Sequence, residues 1–120
     1  MGALALRSPG HHSEQTLPKP VLAPGGSWYQ AVAGVRRGGF GRRTACGQIL
    51  RPTTLGVADP VLPCGAKIFI TTAHGPRVLT QVIDRGPYVP GRRFDLTEPL
   101  AEKLGVHGVQ PVQWAFAQAR

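Results

Sequence analysis

The sequence predicts a mainly β fold, a small closed barrel with one short helix behind a disordered N-terminal tail. Three observations predict it. The 12 prolines and 16 glycines break helix interiors and punctuate the chain into short segments. Several of those segments are rich in β-branched and aromatic residues. Only one stretch carries the start and stop signals of a helix. A closed barrel suits many short strands, because closure removes exposed sheet edges.

Residues 1–26 read as a tail or linker. Pro9, Gly10, Pro18, Pro20, Pro24, Gly25 and Gly26 interrupt every hydrophobic period, with polar Ser13, Glu14, Gln15 and Thr16 between them. The pattern changes at Ser27, so one domain is expected over 27–120. Ser27 to Ala33 reads as a first strand. Gly34 to Arg43 follows as a loop rich in glycine and arginine. Leu55 to Ala58 reads as a short strand. Ala66 to Thr72 and Arg77 to Ile83 form a hairpin about the His74-Gly75-Pro76 turn. Gly86 to Gly91 is a loop with two prolines. The helix spans Glu98 to Leu104, with Thr97 as N-cap, Pro99 in the first turn and Gly105 at the C′ position. Val112 to Ala117 makes the last strand, with Val112, Trp114 and Phe116 on one face. Trp114 is therefore expected in the core.

The formal net charge is +8, of which residues 1–26 hold +1 through Arg7, Lys19 and Glu14, leaving +7 on the domain. Such a surface attracts polyanions, whether nucleic acid, an anionic wall or a membrane face, or it only keeps a small domain soluble. No apolar run reaches the ~18 residues of a transmembrane helix. The leading apolar stretch stops at Arg7, short of a secretory core of about 7–15 residues.

Several local strings now align in order: Ser27-Trp28-Tyr29, Arg43-Thr44-Ala45-Cys46-Gly47, Leu62-Pro63-Cys64-Gly65, Val82-Ile83-Asp84-Arg85-Gly86-Pro87-Tyr88, Phe94-Asp95-Leu96-Thr97 and Leu104-Gly105. This succession resembles the double-psi β-barrel of the rare lipoprotein A family and, more distantly, the barrels of expansins and of one class of cellulases. The resemblance covers about residues 27–117. It implies a six-stranded barrel with a groove, a cell-envelope location and peptidoglycan glycan strands as the partner. It also implies lytic transglycosylase activity in some members, which cut glycan without water and leave an anhydro sugar end. The alternative it implies is a non-catalytic, expansin-like wall-binding module. No cofactor and no metal are expected, nor a nucleic-acid partner, because that reading rests on charge alone. A monomer is expected.

Cys46 and Cys64 each sit in a glycine-containing turn, and this shared setting points to a disulfide; two buried free thiols are the other reading. A bridge closing about 18 residues stabilises by roughly 3 kcal/mol in the chain-entropy description. It implies an oxidising compartment. The expected location is therefore extracytoplasmic, with an export signal upstream of this chain.

Glycosidic cleavage needs a proton donor at the leaving oxygen. A lytic transglycosylase can manage with one carboxyl, since the sugar's own hydroxyl replaces water. Asp84 and Asp95 are the catalytic candidates, at positions where the resemblance implies groove carboxylates. A structural reading stands beside each: Asp84 accepting backbone N–H groups and pairing with Arg85, Asp95 helping to end a strand. Glu98 and Glu102 read as solvated helix residues, and Asp59 as an Asx turn before Pro60. Glycan contacts are expected from Tyr88, Arg85, Thr44, Gln48 and Asp59. Trp28 and Tyr29 offer further flat faces. Arg36, Arg37, Arg42, Arg43, Arg92 and Arg93 either hold wall anions or form a solvated basic loop. Gln48 stands where the family's enzymes resemble a Glu, and Asp59 where a His is often found. Both departures weigh toward binding without cleavage.

Overall fold

The computed structural model describes residues 18–118. Seven strands form one sheet: β1 (Pro20–Val21), β2 (Tyr29–Arg36), β3 (Val57–Ala58), β4 (Lys67–Thr71), β5 (Val78–Asp84), β6 (Phe94–Thr97) and β7 (Gln110–Ala117). Their order is β1-β7-β2-β6-β3-β5-β4, and β4 pairs back onto β7. Strands β2 to β7 thus close a six-stranded barrel, and β1 is an antiparallel addition to β7. Two pairs are parallel, β2 with β6 and β3 with β5. Parallel neighbours need a crossover, and here the crossovers carry the long loops 37–56 and 85–93.

The interior follows from period-2 alternation. Ile68 and Ile70 of β4 are fully buried, as are Val82 of β5, Phe94 and Leu96 of β6, and Val57 of β3. Trp114 packs among them, stacked on Tyr29 at 4.7 Å and edge-on to Phe94 at 5.6 Å. The core reading of Trp114 therefore stands. Trp28 lies instead against Phe69 on the outer face of β4, with Arg77 over both rings.

The helix α1 (Glu98–Leu104) has the expected bounds. Leu100, Ala101 and Leu104 fall on one face and are buried in the barrel's hydrophobic core cluster. Gly105 ends it at φ 76°, a left-handed conformation that glycine adopts without a Cβ penalty. Thr97 departs from expectation: it has the extended backbone of an N-cap but makes no capping bond. Its hydroxyl accepts the N–H of Gly56 (3.2 Å), and its own N–H donates to the Gly56 carbonyl (3.1 Å). Joining β6 to the segment before β3 takes the place of the cap. Glu98, expected in solvent, is half-buried and accepts the Gly38 N–H at 3.2 Å.

The expected tail boundary at residue 27 also shifts. Pro20–Val21 pairs with Ala117 and Phe116, and the Gln118 N–H donates to Lys19 at 2.6 Å. A proline is tolerated in an edge strand, where the missing donor costs no ladder bond. Residues 1–17, the rest of the expected tail, lie outside the described residues. β6 is the strand before the helix that Asp95 was expected to help end; Asp95 is its second residue, and the four-residue strand runs directly into the helix. Cys46 and Cys64 are joined in a disulfide, with Cα atoms 5.4 Å apart, which decides between the two readings of the pair.

Candidate functional site

The ends of three strands gather the acidic residues. Ala58 of β3 is in register with Asp84 on one side and Asp95 on the other. Asp59 follows directly, its N–H donating to the Asp84 carbonyl at 3.1 Å. Three of the domain's five carboxylates thus meet around the end of a two-residue strand. Parallel pairing of β3 with β5 and of β2 with β6 makes this possible, by bringing strand ends from distant sequence to one rim of the barrel.

Each carboxylate has a different set of partners. Asp84 accepts the Ala45 and Arg85 N–H groups on Oδ1, both at 2.8 Å. On Oδ2 it accepts the Arg36 guanidinium and Arg42 Nη2, the latter at 2.6 Å. Burial alone would raise its pKa. The Ala45 N–H, the Arg42 guanidinium and the Arg85 N–H together outweigh burial and hold the carboxyl below its ordinary value. The expected pairing with Arg85 does not form through the side chain. The Arg85 guanidinium donates to the carbonyls of Asp59 (3.1 Å) and Leu62 (2.6 Å) instead, pinning the 59–62 loop.

Asp59 is fully buried and bonds Arg93 through Oδ1. Its Oδ2 accepts the N–H groups of Val61 (2.9 Å) and Leu62 (2.6 Å), the Asx turn expected before Pro60. The Arg93 guanidinium also lies over the Trp114 ring at 5.3 Å. Asp59 is thereby closed off from any ligand on the surface as the site stands.

Asp95 is the least engaged. Its Oδ2 accepts a long bond from Arg36 Nη2 (3.4 Å), and Arg92 stands 3.7 Å from Oδ1. Oδ1 is buried with no hydrogen-bond partner among the described residues. Arg92 reaches this point by lying flat across Gly34, which faces Asp95 in the β2–β6 register. A Cβ on Gly34 would sit 2.6 Å from Arg92 Nη1, so any other residue there would push the Arg92 side chain aside.

Thr44 and Gln48 support one another. Gln48 N–H donates to the Thr44 hydroxyl (3.2 Å), which donates to Gln48 Oε1 (3.1 Å), and the Thr44 N–H donates to the Gln48 carbonyl (2.7 Å). This closed turn aims the Ala45 N–H at Asp84. Thr44 is buried and Gln48 half-buried. Tyr88 is 76% exposed and lies beside Gly86, with Val89 next to it. Phe40 is exposed on the loop that carries Arg42.

The surface over the carboxylates is cationic. Asp84 and Asp95 side chains are 8% and 14% exposed, against 23%, 43% and 25% for Arg36, Arg42 and Arg92. From Arg92 the surface continues into a cleft of about 570 Å³ lined by Gln30, Ala31, Val32, Gly91, Arg92, Arg93 and Pro111. Arg37 and Arg43 point elsewhere, to the carbonyls of His107 (3.4 Å) and Gly47 (2.9 Å). The sequence named Arg36 and Arg42 only as members of a basic loop. Their convergence on Asp84 spans 48 and 42 residues and has no local signal. Gln30 and Pro111 were not singled out at all.

A family described as lytic transglycolase matches residues 23–114. Among curated proteins, the chain is similar to the endolytic peptidoglycan transglycosylase RlpA of Yersinia pestis, 39% identical over 77 residues, 63% of this chain and 21% of that protein. It is 35% identical over 118 residues to the probable endolytic peptidoglycan transglycosylase RlpA of Nostoc sp., covering 92% of this chain and 32% of that one. For the protein so named in Aquifex aeolicus the figures are 33% over 116 residues, 94% and 48%. The chain spans less than half the length of each.

Proposed function

The chain belongs to the lytic transglycolase family, and on that premise we propose that it acts on the glycan strands of peptidoglycan outside the cytoplasm. The strand would lie along the rim that runs from the Gln30–Pro111 cleft past Arg92 and Asp95 to Asp84 and Tyr88. The observation that carries this reading is the convergence of Asp84 and Asp95 on Ala58, beneath loops that offer an exposed tyrosine and arginines. The names of the relatives support peptidoglycan as the substrate. The Cys46–Cys64 bridge supports an oxidising compartment.

Lytic cleavage asks one group to protonate the leaving oxygen and then take a proton from the sugar hydroxyl that closes the anhydro ring. Asp84 is a poor donor, since four hydrogen bonds and a lowered pKa keep it ionised. Asp95 has a buried oxygen without a partner and one long bond. We therefore assign proton transfer to Asp95, and to Asp84 the holding of Arg36, Arg42 and the Ala45 turn. Movement of Arg92 would open Asp95 to the strand.

A second reading, binding without cleavage, has its own observation. Arginine rather than carboxyl groups faces outward at the site, Gln48 carries no acid, and Asp59 is buried against Arg93. Incubation of the oxidised protein with intact sacculi, followed by mass spectrometry of the soluble fraction, tests both. Anhydro-ended fragments that disappear in Asp95→Asn are expected for cleavage. Co-sedimentation with sacculi and no soluble product would establish the binding reading. Neither product nor co-sedimentation would overturn both.

A further inference from the structure

We propose that Arg36, Arg42 and Arg92 form a subsite for a carboxylate carried by the glycan strand, so that the groove selects acidic strands over neutral ones. The inference rests on the peptidoglycan reading and deepens it. Its basis is the charge arithmetic at the rim. Asp84 and Asp95 together hold three arginines, and both carboxylates lie beneath the guanidinium groups that they bind. The cluster therefore keeps one positive charge in excess and presents it outward. Arg85 adds a second cation, whose guanidinium bonds only the carbonyls of Asp59 and Leu62 among the described residues. The neighbouring Asp59–Arg93 pair is neutral and contributes nothing to this excess.

Arg42 is the residue built to meet a ligand. A guanidinium has five donors in a fixed fork, and Arg42 anchors Nη2 on Asp84 Oδ2 at 2.6 Å while 43% of its side chain stays exposed. The anchor fixes its orientation, and among the described residues its remaining donors have no acceptor. Carboxylate geometry matches that fork in a bidentate arrangement. Arg36 and Arg92, at 23% and 25% exposure, flank it from β2 and from the cleft. Tyr88, which with Arg36 borders Gly86, and Phe40, two residues before Arg42 in the chain, are both exposed and offer apolar faces to a sugar ring, which leaves the arginines to read its acidic substituent.

Muramyl residues can present such a group in two ways, as the free lactyl acid of a peptide-free strand or as the terminal acids of a stem peptide. The test is calorimetric titration of the oxidised chain with three soluble oligosaccharides. These are peptide-free strands with the lactyl acid, peptide-bearing strands, and peptide-free strands whose acids have been reduced to alcohols. At least one acidic strand is expected to bind about tenfold tighter than the reduced strand, as one charge-assisted bond would give. Whichever acidic strand binds tighter identifies the source. The preference is expected to vanish in Arg42→Gln, to return in part in Arg42→Lys, and to weaken with added salt. Circular dichroism would verify that each variant is folded. Equal binding of acidic and reduced strands would overturn the carboxylate subsite and leave the peptidoglycan reading standing. So would an unchanged preference in folded Arg42→Gln. Failure of every strand to bind would overturn both.

Discussion

Two aspartate–arginine clusters lie side by side at one rim of the barrel, and they use the same chemistry to different ends. Asp59 has one guanidinium partner, Arg93, and two backbone donors, and it is fully buried. Its charge is balanced one to one, and Arg93 packs over Trp114 and Phe94. Asp84 has two guanidinium partners and two backbone donors, one partner well exposed. Its charge is overbalanced, and the excess faces water. Matched charges under aromatic rings serve the fold; mismatched charges with an exposed arginine leave something to bind. The two clusters are tied by Arg85, which follows Asp84 and holds the 59–62 loop, and by the Cys46–Cys64 bridge.

Substitutions at the two clusters test how far that contrast holds. Asp59→Ala is expected to cost most, about 4 kcal/mol, because it strands a partly buried guanidinium and two turn N–H groups. Chemical denaturation would measure it, and a loss under 1 kcal/mol would break the comparison. The Cys46→Ser, Cys64→Ser pair is expected to lose about 3 kcal/mol by freeing the loop between the clusters. If both clusters depend on that tie, sacculus binding should fall as well.

Asp84→Asn comes next, at about 2 kcal/mol near neutral pH, since its bonds are charge-assisted but partly solvated. Its folded-state pKa lies below the unfolded one. The stabilisation is therefore complete above the ordinary carboxylate range and is lost as pH falls through that range toward the folded value. Acid titration of stability should be shallower in Asp84→Asn than in the native protein. Equal slopes would show that Asp84 is not the group responsible. Gly34→Ala is the smallest, about 1 kcal/mol, because only the tip of Arg92 must move. It should perturb the Arg92 side-chain resonances while leaving the Asp59 cluster unshifted.

The contrast between the clusters also marks what the sequence could convey. Local chemistry was readable. The Asx turn at Asp59 follows from Asp59-Pro60, the helix from Glu98 to Leu104 from its proline and glycine punctuation, and strands β4 and β5 from their β-branched runs. The barrel and the position of Asp84 and Asp95 on its rim came from the succession of short motifs. Long-range pairing was not readable. Arg93 meeting Asp59, Arg36 and Arg42 meeting Asp84, and Arg85 turning to carbonyls all depend on parallel strand pairs that bring distant residues together. The sequence neighbour Arg85 was the natural guess as partner for Asp84, and the register of β3 with β5 turned it toward the 59–62 loop instead. Pro20–Val21 has no local signal because a two-residue strand has no period, and its partners, Ala117 for Pro20 and Phe116 for Val21, lie at the far end of the chain.

That short strand bears on how the barrel would carry load. The chain enters at Lys19 and leaves at Gln118, and these two residues are hydrogen-bonded to each other at 2.6 Å. A pull applied across the two points acts first on the β1–β7 contact, which consists of two residue pairs, and peels it open while the closed ring of six strands stays unstretched. That two-pair contact is then a clasp that can be lost without opening the ring on which the groove is built.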